Sequence, residues 1–213
     1  MKKILLFKRP FIWIKRFRKR CGYGVHSPSA FDFITTVIYE REQYYAYSDI
    51  KKAVEYKDIK AGEGRAKKTK INHLLFRLVN RTQPQVIVEM GSPTTTTCYL
   101  KAAKRDVEYF STSTKTSEPQ TICQSIYQEK TNFLFIHYAE DPDKIRKVIE
   151  LCLPKLNKKS ILVIEGICYD SSMKQLWKEI QDNKHAIVTY DLYDLGIVLF
   201  ETGKTKQHYK VNF

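Results

Sequence analysis

Acidic residues are missing from the first twenty positions, although the 213-residue chain holds 23 Asp and Glu. Nine of its 37 Lys and Arg fall in that stretch, so 28 bases face 23 acids in the remainder. The formal charge of +14 therefore belongs largely to a basic tail, and the body of the chain is only mildly cationic. No apolar run approaches the roughly eighteen residues that a membrane-spanning helix needs. The five cysteines, at positions 21, 98, 123, 152 and 168, are odd in number, scattered and never paired as CxxC. That pattern excludes a disulfide scaffold and a structural zinc site, and it points to reduced thiols in a cytoplasmic protein. Glycine is scarce as well, with eight in the whole chain, and its scarcity matters most in one loop.

That loop lies within Gln85 to Leu100, QVIVEMGSPTTTTCYL. Val86, Ile87 and Val88 form a short β-branched run that reads as a buried strand. Glu89-Met90-Gly91 then supplies an acid and a chain-reversing glycine at its end. Cys98, Leu100 and Ala102-Ala103 begin a helix that returns along the sheet. A strand, a glycine turn and a helix make the first βα unit of a nucleotide-type α/β domain, where ligand anions meet backbone N–H groups. Binding loops of this kind usually carry two or three glycines, whereas Gly91 is followed here by Ser-Pro-Thr-Thr-Thr-Thr.

The remaining elements alternate. In the tail, Pro10 suits a first helical turn, and Phe11, Ile14 and Phe17 recur at three-residue spacing with bases between. Such a segment can lie on an anionic membrane surface, grip nucleic-acid phosphates, or dock its aromatics on the parent domain. Gly22-Tyr23-Gly24 breaks it, and Phe31, Ile34 and Ile38 share the face of a following helix. His26, beside a cap and a proline, is expected to make a structural hydrogen bond. Residues 57–70 have no period and read as a flexible surface loop. Ile71, Leu74, Leu75, Leu78 and Val79 give one apolar helical face. Strands are predicted at 107–111, 133–136, 160–164, 186–192 and 196–200. One-faced helices lie between several of them, and the last two strands are joined by a short turn. The pattern implies a mainly parallel sheet covered on both sides, with an antiparallel finish. Residues 1–21 are set apart as a basic amphipathic segment, and 22–213 as one domain.

GVHSPSAFDFI, HLLFRLVN, VIVEMGS, LPKLNKKSILVIEGI, SSMKQLWKEI and TYDLYDLGIVLF, taken in order, resemble the class I S-adenosylmethionine-dependent methyltransferases. More narrowly, they are similar to O-methyltransferase-like proteins of Bacteroides-type bacteria. The resemblance implies a Rossmann-like methyltransferase fold, one strand short of seven, with methyl transfer to an oxygen or nitrogen acceptor. It implies that Glu89, Gly91 and Ser92 face the amino-acid end of S-adenosylmethionine, with Thr95 in the place of a second glycine. Ser111 and Thr112 fall where a ribose-binding acid is expected. Where metal-dependent members carry a pair of ligands, this chain has Glu165-Gly166, so a divalent metal is not expected. His137, Asp141 and Glu165 are the candidates for a mixed metal or catalytic site. Only about twenty residues separate Ser111 from Phe133, too few for a strand, a helix and two crossovers. Either the third strand is missing and His137 stands where an aspartate is expected, or the fourth strand and its aspartate are missing. The losses leave an alternative, a catalytically inactive protein acting through residues 1–20 on a protein partner or the anionic inner face of a membrane.

Overall fold

The computed structural model describes residues 11–56, 65–91, 94–112, 118–138, 141–201, 203 and 205–213, with side chains 53–56 and 65–68 left aside. Seven strands form one sheet: β1 (Val86–Met90), β2 (Glu108–Thr112), β3 (Asn132–Ile136), β4 (Ile161–Glu165), β5 (Val188–Asp191), β6 (Leu195–Leu199) and β7 (Gln207–Lys210). Their order is β2-β1-β3-β4-β6-β5-β7. The β2-β1-β3-β4 half is parallel, and β6 runs antiparallel to both β4 and β5. The helices are α1 (Pro28–Phe33), α2 (Tyr45–Tyr56), α3 (Arg65–Thr82), α4 (Thr95–Ala103), α5 (Pro119–Gln124), α6 (Pro142–Cys152) and α7 (Ser171–Asp182).

Strand alternation divides the core in two. Val86, Val88, Leu134, Ile136, Leu162 and Ile164 face the side covered by α5, α6 and α7. Ile87, Phe133, Phe135, Ile161 and Val163 face the other side, against α1, α3 and α4. Helix α6 contributes the single apolar face that its spacing predicts, with Ile145, Val148, Ile149 and Cys152 buried.

The topology decides the missing strand. Residues 132–136 pair directly with β1 on the side away from β2, and next with β4. That is the place of a fourth strand, while β2 lies at the sheet edge with no further strand beyond it among the described residues. Among the described residues the connection from β2 to β3 holds only the six-residue α5, so it is the third strand that is not found there. The expectation of six strands is corrected, since β7 joins the opposite edge by pairing in parallel with β5.

Two further expectations change. Residues 65–70 are the first turns of α3 rather than loop, and 57–64 lie outside the described residues. Ala66, Lys67 and Lys68 are good helix formers, so the helix extends past its buried stripe. In the described part of the tail, residues 11–15 are helical, a 3-10 turn spans Phe17–Lys19, and Phe11, Trp13, Ile14 and Phe17 are exposed.

Candidate functional site

Strand phase assembles the site. Glu89 follows Ile87 by two residues, as His137 follows Phe135 and Glu165 follows Val163, so all three side chains leave the sheet on the α3/α4 face. Register then sets them side by side: Met90 pairs with Ile136 and Ile136 with Ile164. The next positions, Gly91, His137 and Glu165, are neighbours across three strands at their C-terminal ends. The amide of His137 donates to the Met90 carbonyl at 3.0 Å, which fixes this row.

Glu89 is fully buried yet well satisfied. Its Oε2 accepts from Thr97 Oγ1 at 2.9 Å and from the Tyr109 hydroxyl, and its Oε1 lies 2.6 Å from His137 Nε2. Three partners nearly exhaust a carboxylate's hydrogen-bonding capacity. His137 also faces Glu165, with Nδ1 3.5 Å from Oε2, which is a charge contact rather than a good hydrogen bond. Burial pushes the imidazole toward its neutral form, but Glu165 and Glu89 outweigh it and raise the pKa to about 9. Both ring nitrogens then carry protons. Burial, reinforced by Glu89, also drives the Tyr109 hydroxyl well above its ordinary value.

Gly91 has φ +141°, outside the comfortable range of other residues. A Cβ built there would lie 2.5 Å from His137 Cδ2 and 2.9 Å from His137 Cβ. The close approach that glycine permits is therefore filled by a side chain of the protein itself. Helix α4 begins beside it with a reciprocal cap: Thr94 Oγ1 accepts from Thr96 N at 3.2 Å, and Thr94 N donates to Thr97 Oγ1 at 3.0 Å. Thr96 in turn donates to the buried Asn72 of α3 at 2.8 Å. The threonine run thus occupies the Thr94 and Thr96 N–H groups, helix-end donors of the kind a glycine loop would offer to a ligand.

The other sequence candidates sort as follows. Thr95 is the first residue of α4, half-buried behind this cap. Ser92 lies outside the described residues. Ser111 Oγ reaches the Gly91 carbonyl at 3.4 Å, and Thr112 Oγ1 is buried with no hydrogen-bond partner among the described residues. Asp141 does not join His137 and Glu165: it caps α6, accepting from Asp143 N and Lys144 N at 3.1 Å each. No three His, Cys, Asp or Glu side chains are placed to hold a metal ion among the described residues. His26, expected from its sequence context to make a structural hydrogen bond, is exposed before α1.

Sequence reasoning missed Tyr109, Thr97 and Tyr138. Tyr109 pairs with Ile87 across β2 and β1, in phase with Glu89, and that phase was available once β2 was placed. Tyr138 N donates to Glu165 Oε2 at 3.3 Å, and its hydroxyl donates to Asp170 Oδ2 at 3.0 Å. His137 fills the space beside Gly91, and among the described residues at the end of β2 Ser111 and Thr112 offer hydroxyls. A cleft of about 380 Å³ lies at the opposite end of the strands, bordered by Ser160 and Ile161 at the start of β4. It carries charges of both signs, including an Arg81–Asp32 pair at 3.2 Å.

No family model matches the sequence, and no curated protein matches it. Solved structures do. The chain is similar to the SAH-bound Podospora anserina methyltransferase PaMTH1, with a TM-score of 0.52 at 7% identity over 82% of this chain and 97% of that one. A Corynebacterium glutamicum protein superposes with a TM-score of 0.50 at 11% identity, over 81% and 97% of the two chains. The MycE methyltransferase of the mycinamycin pathway, in complex with Mg and SAH, gives 0.50 at 11% identity over 81% of this chain and 60% of its own. At such identities the likeness carries the architecture alone, and that architecture is the Rossmann-like methyltransferase fold.

Proposed function

We propose that the protein is an S-adenosylmethionine-dependent methyltransferase-like protein with degenerate cofactor and metal sites. Its acceptor is an oxygen or nitrogen nucleophile, and it belongs with the O-methyltransferase-like proteins of Bacteroides-type bacteria. The ordered sequence segments support the branch, and SAH in the Podospora methyltransferase supports the cofactor class. Glu89 at the end of β1 and the unusual backbone of Gly91 keep the outline of the seat.

One observation carries the reading of degeneracy: His137 Nε2 sits 2.6 Å from Glu89, against Gly91. It brings a positive charge to the carboxylate expected to face the cofactor's own ammonium group. Cofactor entry requires this imidazolium to leave, and the affinity falls by the fraction of molecules in which it has left. Calorimetric titration with S-adenosylhomocysteine tests this on the native chain and on His137→Ala. Weak or undetectable binding is expected for the native chain, and binding tighter by roughly tenfold or more for the variant, once melting curves show it folded. Low-micromolar binding by the native chain overturns the reading, as does a folded variant that binds no better. A second reading, a non-catalytic protein acting by attachment, is favoured by the exposed aromatics of the N-terminal segment.

A further inference from the structure

The N-terminal segment turns one face to the body and the other to solvent. Ile12 and Arg16, one helical turn apart, face inward. The guanidinium of Arg16 grips Asp191 through two parallel bonds of 2.9 Å and also donates to the Asp191 carbonyl at 3.1 Å. Asn212 N donates to the Lys19 carbonyl at 3.0 Å. Held this way, the segment exposes Phe11 by 70%, Trp13 by 48%, Ile14 by 64% and Phe17 by 52%. Four large apolar side chains within seven residues are an uncommon feature for solvent-facing backbone.

Charge decides what covers them. Residues 11–20 carry Lys15, Arg16, Arg18, Lys19 and Arg20 and no acid. Among the described residues only Arg16 pairs with the body; Lys15, Arg18, Lys19 and Arg20 are exposed around the apolar group. Trp13 and Phe17 meet edge to face at 5.2 Å, with the Arg20 guanidinium 5.7 Å and 5.6 Å from their ring centres. Their faces are thus partly taken, which disfavours base stacking. Phe11 and Ile14, the most exposed of the four, offer nothing to a phosphate backbone.

We infer that this patch, Phe11, Trp13, Ile14 and Phe17 ringed by Lys15, Arg18, Lys19 and Arg20, is a docking surface for an anionic lipid bilayer. The apolar side chains enter the acyl boundary and the bases meet the headgroup phosphates. Arg16 holds the patch on Asp191, which pairs with Gly196 at the position where Gly196 pairs with Ile164, at the same end of the strands as Glu165. A docked chain therefore presents the lip of the candidate site beside the lipid surface. The inference stands apart from the methyltransferase reading, since S-adenosylhomocysteine titration does not involve these residues.

Flotation of the full chain with vesicles of phosphatidylglycerol and phosphatidylcholine tests it, with phosphatidylcholine vesicles alone as the control. Binding to the anionic vesicles is expected, weakened roughly tenfold or more by raised salt. Brominated lipids should quench Trp13, while buried Trp177 stays unquenched. Phe11→Ser, Ile14→Ser and Phe17→Ser combined should abolish flotation without moving the melting temperature, because all three side chains are exposed. Failure of the native chain to float overturns the inference, as does undiminished flotation of the triple variant. A dimer dissolved by the triple variant, or tighter binding to single-stranded RNA than to vesicles, also overturns it in favour of that occupant.

Discussion

His137 and Glu89 form an ion pair of 2.6 Å across neighbouring strands, and the glycine beside them leaves just enough room for the ring. The pair joins β1 to β3 on the face where Thr97 of α4 and Tyr109 of β2 also reach Glu89. One buried carboxylate therefore ties together three strands' ends and a helix. Such a group stabilises only while its partners stay in place, because an uncompensated buried charge is costly.

The first prediction concerns pH. In the unfolded chain His137 titrates near its ordinary value of about 6.5, and in the folded protein near about 9. A raised folded pKa means that the folded state holds the extra proton, so the stabilisation is complete below the unfolded value. It fades as pH rises through about 9. Urea midpoints measured from about pH 6 to pH 10 should fall for the native chain by more than for His137→Gln, which has nothing to titrate there. Parallel curves for the two proteins would show that the imidazole is not held charged.

Glu89, Gly91, His137 and Glu165 were candidates in the sequence, and strand phase with register brings them together. Once Val86–Met90, Asn132–Ile136 and Ile161–Glu165 are read as strands, Glu89, His137 and Glu165 fall on one face by alternation. Pairing order was less accessible, because it depends on contacts between segments far apart in sequence. The Met90–Ile136 neighbours are 46 positions apart, and only the shortness of the β2–β3 connection hinted at them. Strand β7 escaped notice because QHYK alternates half-buried with exposed residues and offers no β-branched run. The aromatics of the tail were open to both docking and exposure, since periodicity locates a face without saying what it meets. Arg16 and Asp191, 175 positions apart, settle that question through tertiary contact.

The second prediction tests close packing. Gly196 of β6 lies under Trp177, and a Cβ there would come within 2.5 Å of Trp177 Cζ3. The indole is buried in the core of α7 and has little freedom to yield. Gly196→Ala should cost about 1–3 kcal/mol through overpacking. For a chain of this size each kcal/mol lowers the melting temperature by about 2–4 °C. In a Trp177→Phe background the same substitution should cost clearly less, since the offending ring atoms are gone. An equal cost in both backgrounds would place the strain elsewhere.

The third prediction concerns the clamp that orients the N-terminal segment. Arg16 and Asp191 are 14% and 7% exposed at their side chains, so the pair is shielded from salt better than a surface contact. Asp191 Oδ1 also accepts from Tyr193 N at 2.8 Å, a bond that Asp191→Asn can keep while losing the charge. Charge-assisted forked bonds are about twice as strong as neutral ones, so the variant should hold the segment loosely without unfolding the sheet. Limited trypsin digestion reads this directly, because Lys15, Arg16, Arg18, Lys19 and Arg20 are all cleavage sites in a segment that must unfold locally to be cut. Cleavage there should accelerate by roughly tenfold or more in Asp191→Asn, in proportion to the population of the opened segment. The same digestion should leave fragments of the sheet-bearing body intact. Unchanged cleavage would mean that the segment is held by Ile12 and Asn212 alone, and that the forked pair does not determine which of its faces meets solvent.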